Sequence, residues 1–115
     1  MVVRVGDEQI DRVFHALADA TRRDIVMQVL HCGASVSTLA RSYTMSFAAV
    51  QKHVAVLEVA ELVSKERRGR EQIVTANIET VRRAAQMLDE LEAMWRGRFE
   101  RIGDLLAQPE EGTPQ

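Results

Sequence analysis

One cysteine, Cys32, stands among 115 residues. It cannot close an intramolecular disulfide, and alone it makes neither a thiolate cluster for a metal nor a redox pair. No apolar run approaches the ~20 residues that a membrane helix requires. The opening MVVRVGDEQ turns acidic at once and lacks the apolar centre of a signal peptide. The expectation is a cytoplasmic protein with no membrane partner. Internal repeats, low-complexity segments, a glycine-rich phosphate loop and a paired-carboxylate pattern are also missing. His31 adjoins Cys32, but neighbours on a helix point about 100° apart, so the two do not form a nucleophile and its base. Neither an enzyme nor a cofactor is expected.

What remains is an ordinary soluble composition, 46% apolar and 28% charged, on a length that suits one domain. The net charge of −2 argues against a protein that binds nucleic acid over its whole surface. The charge is uneven, however. Residues 35–70 hold six cationic side chains against three acidic ones, a local +3, and the rest of the chain carries −5. Phosphate binding needs only a local positive face.

Helical spacing accounts for most of the chain. Asp7 is placed to cap a first helix whose face is Ile10, Val13, Phe14 and Leu17. Asp19 is placed to cap a second, ATRRDIVMQVLHC, with Ile25, Val26, Val29 and Leu30 inward and Gly33 as a C′ stop. Ser35 or Ser37 caps a short third helix around Leu39 and Ala40, and Tyr43-Thr44-Met45 makes a tight connection. Ser46 then caps a fourth helix over 46–60. Two short strands follow over 62–65 and 73–76, joined by the tip ERRGRE with Gly69 where a positive φ is easiest. Helical spacing returns from Glu79 through Val81, Ala84, Leu88, Leu91, Trp95, Phe99, Ile102 and Leu106, and Pro109 ends it. Gly97 and Gly103 are points where this helix could kink or split.

A short helix, a tight turn, a second helix and a basic hairpin make a winged helix-turn-helix, mainly α with a small β-hairpin. The fourth helix has the surface that such a fold presents to DNA. Val50, Val54 and Leu57 hold it to the domain. Ala48 and Ala49 are slim enough to approach bases, Gln51 suits adenine, and Lys52 suits guanine or phosphate. Ser46 caps the helix and leaves its N-terminal NH groups near a phosphate. Phe47 either presses on a thymine methyl or sugar, or folds back onto Tyr43. His53 completes the candidate recognition helix, although its place beside core Val54 favours a packing role. Lys65, Arg67, Arg68 and Arg70 form the candidate wing, which lies along the backbone or dips into the minor groove. On this reading Gln51 sets base preference and Arg68 contributes evenly to affinity.

FHALADATRRDIVMQVL resembles the opening of the ArsR/SmtB-type winged-helix repressors, and MSFAAVQKHVAVLEVAELV is similar to that family's recognition helix. The resemblance covers nearly the whole chain. It implies a homodimeric DNA-binding repressor. The family commonly has glycine where this chain has Glu61, and a different turn at Tyr43-Thr44. Its metal sensors carry Cys-x-Cys on the helix before the turn, where this chain reads Val36-Ser37-Thr38-Leu39-Ala40. Others bind zinc through Asp and His on the last helix, and residues 79–107 contain no histidine. His15, His31, His53 and Cys32 show no ligand spacing, so no metal is expected. MLDELEAMWRGRFERIGDLL is similar to the branch without metal sites.

A helix over 79–107 would be ~43 Å long at 1.5 Å per residue, more than one small domain covers. Its apolar face is therefore expected to meet a second copy, with Leu88, Leu91, Trp95, Phe99 and Ile102 joined by Ile10, Val13 and Phe14 of the first helix. The organisation is then a winged-helix domain over 1–107, whose last helix (79–107) dimerises, and a disordered tail over 108–115. Double-stranded DNA and a second copy are the expected partners, and a small-molecule effector is left open with its identity unknown. The competing function is a winged helix that binds a protein partner and not DNA.

Overall fold

The computed structural model describes residues 7–107. The order is α1 (Asp7–Leu17), α2 (Ala20–His31), β1 (Ala34–Ser35), α3 (Val36–Arg41), α4 (Phe47–Val59), β2 (Val63–Arg68), β3 (Glu71–Ala76) and α5 (Ile78–Ala107). Asp7 opens α1 from inside the helix instead of flanking it. The tail expected over 108–115, Pro109 included, lies outside the described residues.

Short polar side chains start three of the helices. Asp19 accepts from the Arg22 N–H, Ser35 from the Thr38 N–H and Ser46 from the Ala49 N–H, each satisfying one donor that an N-terminal turn leaves open. The α1–α2 corner is closed from the other side by two arginines. Arg22 donates to the Ala16 and His15 carbonyls at 2.7 and 3.2 Å, and Arg23 donates to the Leu17 carbonyl at 2.7 Å. These carbonyls are the ones that α1 cannot pair internally, and a cation is favoured at that end.

The chain divides into two compact units after Ala84. In the first, Val13, Ile25, Leu39, Val50, Val54, Leu57, Leu62 and Val74 form a core from which water is excluded. Val13 is 0% exposed, so it has no surface left for a second copy and belongs to the protomer's own core. Phe14 packs half-buried on the same core. Leu30, expected inward, is 43% exposed, because Ile25, Val26 and Val29 already fill that side of α2.

The sheet has three antiparallel strands in the order β1-β3-β2. Its third strand, β1, has no counterpart in the sequence reading. Its two residues, Ala34 and Ser35, pair with Val74 and Ile73. Gly33 serves this pairing and is not a C′ stop. Its backbone does not take a positive φ, whereas a Cβ there would lie 3.0 Å from the Thr75 methyl and 3.3 Å from the Val74 carbonyl. β2 and β3 run further than expected, with pairs from Val63↔Ala76 to Arg68↔Glu71, because ladder hydrogen bonds belong to the backbone and arginines can make them. Only Gly69 and Arg70 turn the hairpin. Gly69 at φ +63° with no positive φ at Arg70 is the pattern of a type II′ turn.

Glu61 adopts φ +63° at the end of α4. The Leu62 N–H donates to the Leu57 carbonyl at 3.0 Å and the Glu61 N–H to the Glu58 carbonyl at 2.9 Å, which is the Schellman arrangement. Asn77 holds the turn. Its side-chain amide donates to the Glu61 carbonyl at 2.9 Å, and its backbone N–H donates to the Leu62 carbonyl, also at 2.9 Å.

The second unit is the continuation of α5 beyond Ala84. The helix passes through Gly97 and Gly103 without interruption, and a Cβ at either would meet nothing within 4 Å. Leu88, Leu91, Trp95, Phe99 and Ile102 share one side of this helix at 44–56% exposure. Trp95 and Phe99 meet edge to face with centroids 4.6 Å apart. No helix of the described residues is long and apolar enough to cross a membrane.

Candidate nucleic-acid interface

The first two turns of α4 are presented outward because Val50, Val54 and Leu57 are buried on its other side. Ser46, Phe47, Ala48, Gln51 and Lys52 are exposed, and Ala49 is half-buried. The helix thus offers small side chains and two hydrogen-bonding ones. Phe47 is 46% exposed and does not fold away from this surface.

His53 points elsewhere. Its Nδ1 lies 3.3 Å from an Arg22 guanidinium nitrogen and 3.9 Å from the Asp19 carboxylate. It ties α4 to the α1–α2 corner, so the structure gives it the packing role and not a place among the outward side chains. The Arg22 backbone N–H, followed by the Arg22 charge, holds the Asp19 carboxyl below the usual carboxylate range. Asp24 anchors the turn between α3 and α4 in the same manner. The Tyr43 hydroxyl donates to it at 2.6 Å and the Gln28 amide at 2.9 Å, which lowers the Asp24 pKa; burial, then the bond to Asp24, raises that of Tyr43.

The wing divides by strand alternation. Val63, Lys65 and Arg67 of β2 share the inner face with Gln72 and Val74 of β3, while Ser64, Glu66, Arg68 and Glu71 share the outer face. The four wing cations are therefore not equivalent. Lys65 is half-buried with its ammonium 3.4 Å from Glu58. Arg68 lies 3.6 Å from Glu66 and opposite Glu71, so its charge is balanced on the outer face. Arg67 and Arg70 join no ion pair among the described residues. Both line a cleft of about 220 Å³ whose other walls are Val36 and Ser37 of α3, Phe47 and Gln51 of α4, and Glu71 and Gln72 of the wing. The helix-turn-helix and the unpaired wing arginines thus meet at one cleft.

Sequence reasoning missed Arg22, Asp24 and Asn77 as the residues that position this surface. The only signal for Arg22 was its place in the ADATRR stretch. No group of three or more His, Cys, Asp or Glu side chains converges on a metal position among the described residues. The metal-sensing pattern of the resembled family does not fit α3, where Val36 and Leu39 are buried in the core and no thiolate is present.

No protein-family model matches the chain. It is 47% identical over 53 residues to the HTH-type transcriptional regulator Rv2034 of Mycobacterium tuberculosis, a match that spans 46% of this chain and 50% of that protein. An ArsR-like transcriptional regulator from Rhodococcus sp. RHA1 is 30% identical, with 87% of this chain and 93% of that one covered at a TM-score of 0.73. The crystal structure of another ArsR family transcriptional regulator is 28% identical and superposes with a TM-score of 0.74 over 84% of this chain and 97% of that one.

Proposed function

The chain belongs to the ArsR family of transcriptional regulators, and from that premise we propose that it is a homodimeric repressor that binds an inverted-repeat operator in double-stranded DNA and does not respond to metal. The observation that carries this reading is the cleft where Phe47 and Gln51 of α4 face Arg67 and Arg70 of the wing. A major groove admits one helix whose N-terminal residues reach the base edges. Ala48 and Gln51 are slim and hydrogen-bonding enough for that task, and Lys52 reaches a guanine or a phosphate. The unpaired arginines supply charge to the adjoining backbone.

Dimerisation rests on the apolar side of α5. Leu88, Leu91, Trp95, Phe99 and Ile102 leave a large aliphatic and aromatic area in water, at roughly 25 cal/mol for each Å² left uncovered. A second copy covers it and brings a second recognition helix related by a two-fold axis. Repression follows from occupancy of the operator. Selection of bound duplexes from a random pool tests the reading. It should return an inverted repeat with half-sites about one turn, ~34–36 Å, apart. Recovery of unrelated sequences, or of single sites without symmetry, would contradict it.

A further inference from the structure

Resting on that DNA-binding reading, we propose that the cleft between α4 and the wing is the seat of one backbone phosphate per half-site, gripped by Arg67 and Arg70. Of the four wing cations these two are unpaired, and both line the cleft. Arg67 is further prepared for the role. Its Nε donates to the Gly69 carbonyl at 3.3 Å, which folds the side chain back over the turn and leaves its terminal NH₂ groups as the remaining donors. A guanidinium in that state offers a phosphate two parallel hydrogen bonds. Ser37 and Gln51 add neutral donors from the opposite wall, and Phe47 gives the adjoining sugar an apolar surface. Glu71 borders the cleft, but strand alternation sends its side chain to the outer face, opposite Arg68.

The consequence is that wing and helix hold the same strand. A phosphate fixed between them sets how far Gln51 reaches towards the base edges, so the grip fixes register as well as affinity.

The test replaces single phosphates of a selected operator with uncharged methylphosphonates, one position at a time. The wild-type protein should lose about tenfold in affinity at one position per half-site. Arg67→Ala should bind more weakly and lose most of its sensitivity at that position, the remainder being the part held by Arg70. Arg67→Lys should keep part of the sensitivity, since charge remains without the two-pronged geometry. Arg68→Ala should keep its full sensitivity at that position, whatever affinity it loses evenly across sequences. Full sensitivity of Arg67→Ala at every position, or its loss in Arg68→Ala, would overturn the assignment while leaving DNA binding itself intact. If the wild type shows no salt-dependent affinity for any duplex, it is the underlying DNA-binding reading that fails.

Discussion

Two helices of this chain turn a broad face to solvent, and the faces have opposite chemistry. On α4 the outward residues are Phe47, Ala48, Gln51 and Lys52, all but Phe47 small or hydrogen-bonding. On α5 beyond Ala84 they are Leu88, Leu91, Trp95, Phe99 and Ile102. The first face is at ease in water and gives water up only to a partner that returns its hydrogen bonds, as groove edges and phosphates do. The second is disfavoured in water at all times and calls for continuous cover. Exposure alone therefore says little about function. Its chemistry separates a surface made for reversible reading from one made for lasting assembly.

The largest effect should come from charging the apolar face. Leu91→Glu, or Trp95→Glu, should convert a dimer to monomers in sedimentation. Operator affinity should then fall by about a hundredfold or more, as the second half-site ceases to be a tethered event. Unchanged assembly would remove the distinction between the two faces. Gln51→Ala should act on the other face. It should lose roughly 1–3 kcal/mol of discrimination at one base pair per half-site and leave binding to mixed sequence nearly unaltered. A uniform loss across sequences would mean that α4 does not read bases.

A smaller change separates the scaffold of α4 from its reading face. Glu61→Gly relieves a left-handed backbone position and should raise stability to denaturant by about 1 kcal/mol without altering DNA affinity. The smallest effect concerns the corner that anchors α4 through His53. The Asp19 carboxyl has a lowered pKa when folded, because its ionised form accepts the Arg22 N–H. Its contribution to stability is therefore present above the unfolded value of ~3.9 and is lost as pH falls through the folded one. Asp19→Asn should flatten part of the acid limb of a stability–pH curve.

Much of this was legible in the sequence. Apolar residues three and four apart place α1, α2, α4 and α5, and Asp19, Ser35 and Ser46 mark where α2, α3 and α4 begin. Gly69 marks the hairpin turn. What stayed hidden has physical reasons. A two-residue strand such as β1 has no periodicity to detect, so Gly33 looked like a helix stop when it admits a neighbouring strand. Arg22 caps carbonyls across a corner, and a side chain that bonds backbone leaves no spacing signature. The wing arginines look alike as a run of letters. Only the register Arg67↔Gln72 and Arg68↔Glu71 shows that they stand on opposite faces. Val13 followed the apolar stripe of α1 faithfully, but a stripe does not say whether its own core or a second copy covers it.

The central claim is that α4 and the wing grip duplex DNA, and a salt titration tests it most directly. Affinity for a selected operator, measured from low to physiological salt and plotted as log K against log salt, should fall in a straight line. Each phosphate neutralised contributes about −0.9 to the slope, so a grip shared by two copies gives a steep one, and Arg67→Ala should make it shallower. A slope near zero, or binding that survives high salt undiminished, would contradict the account.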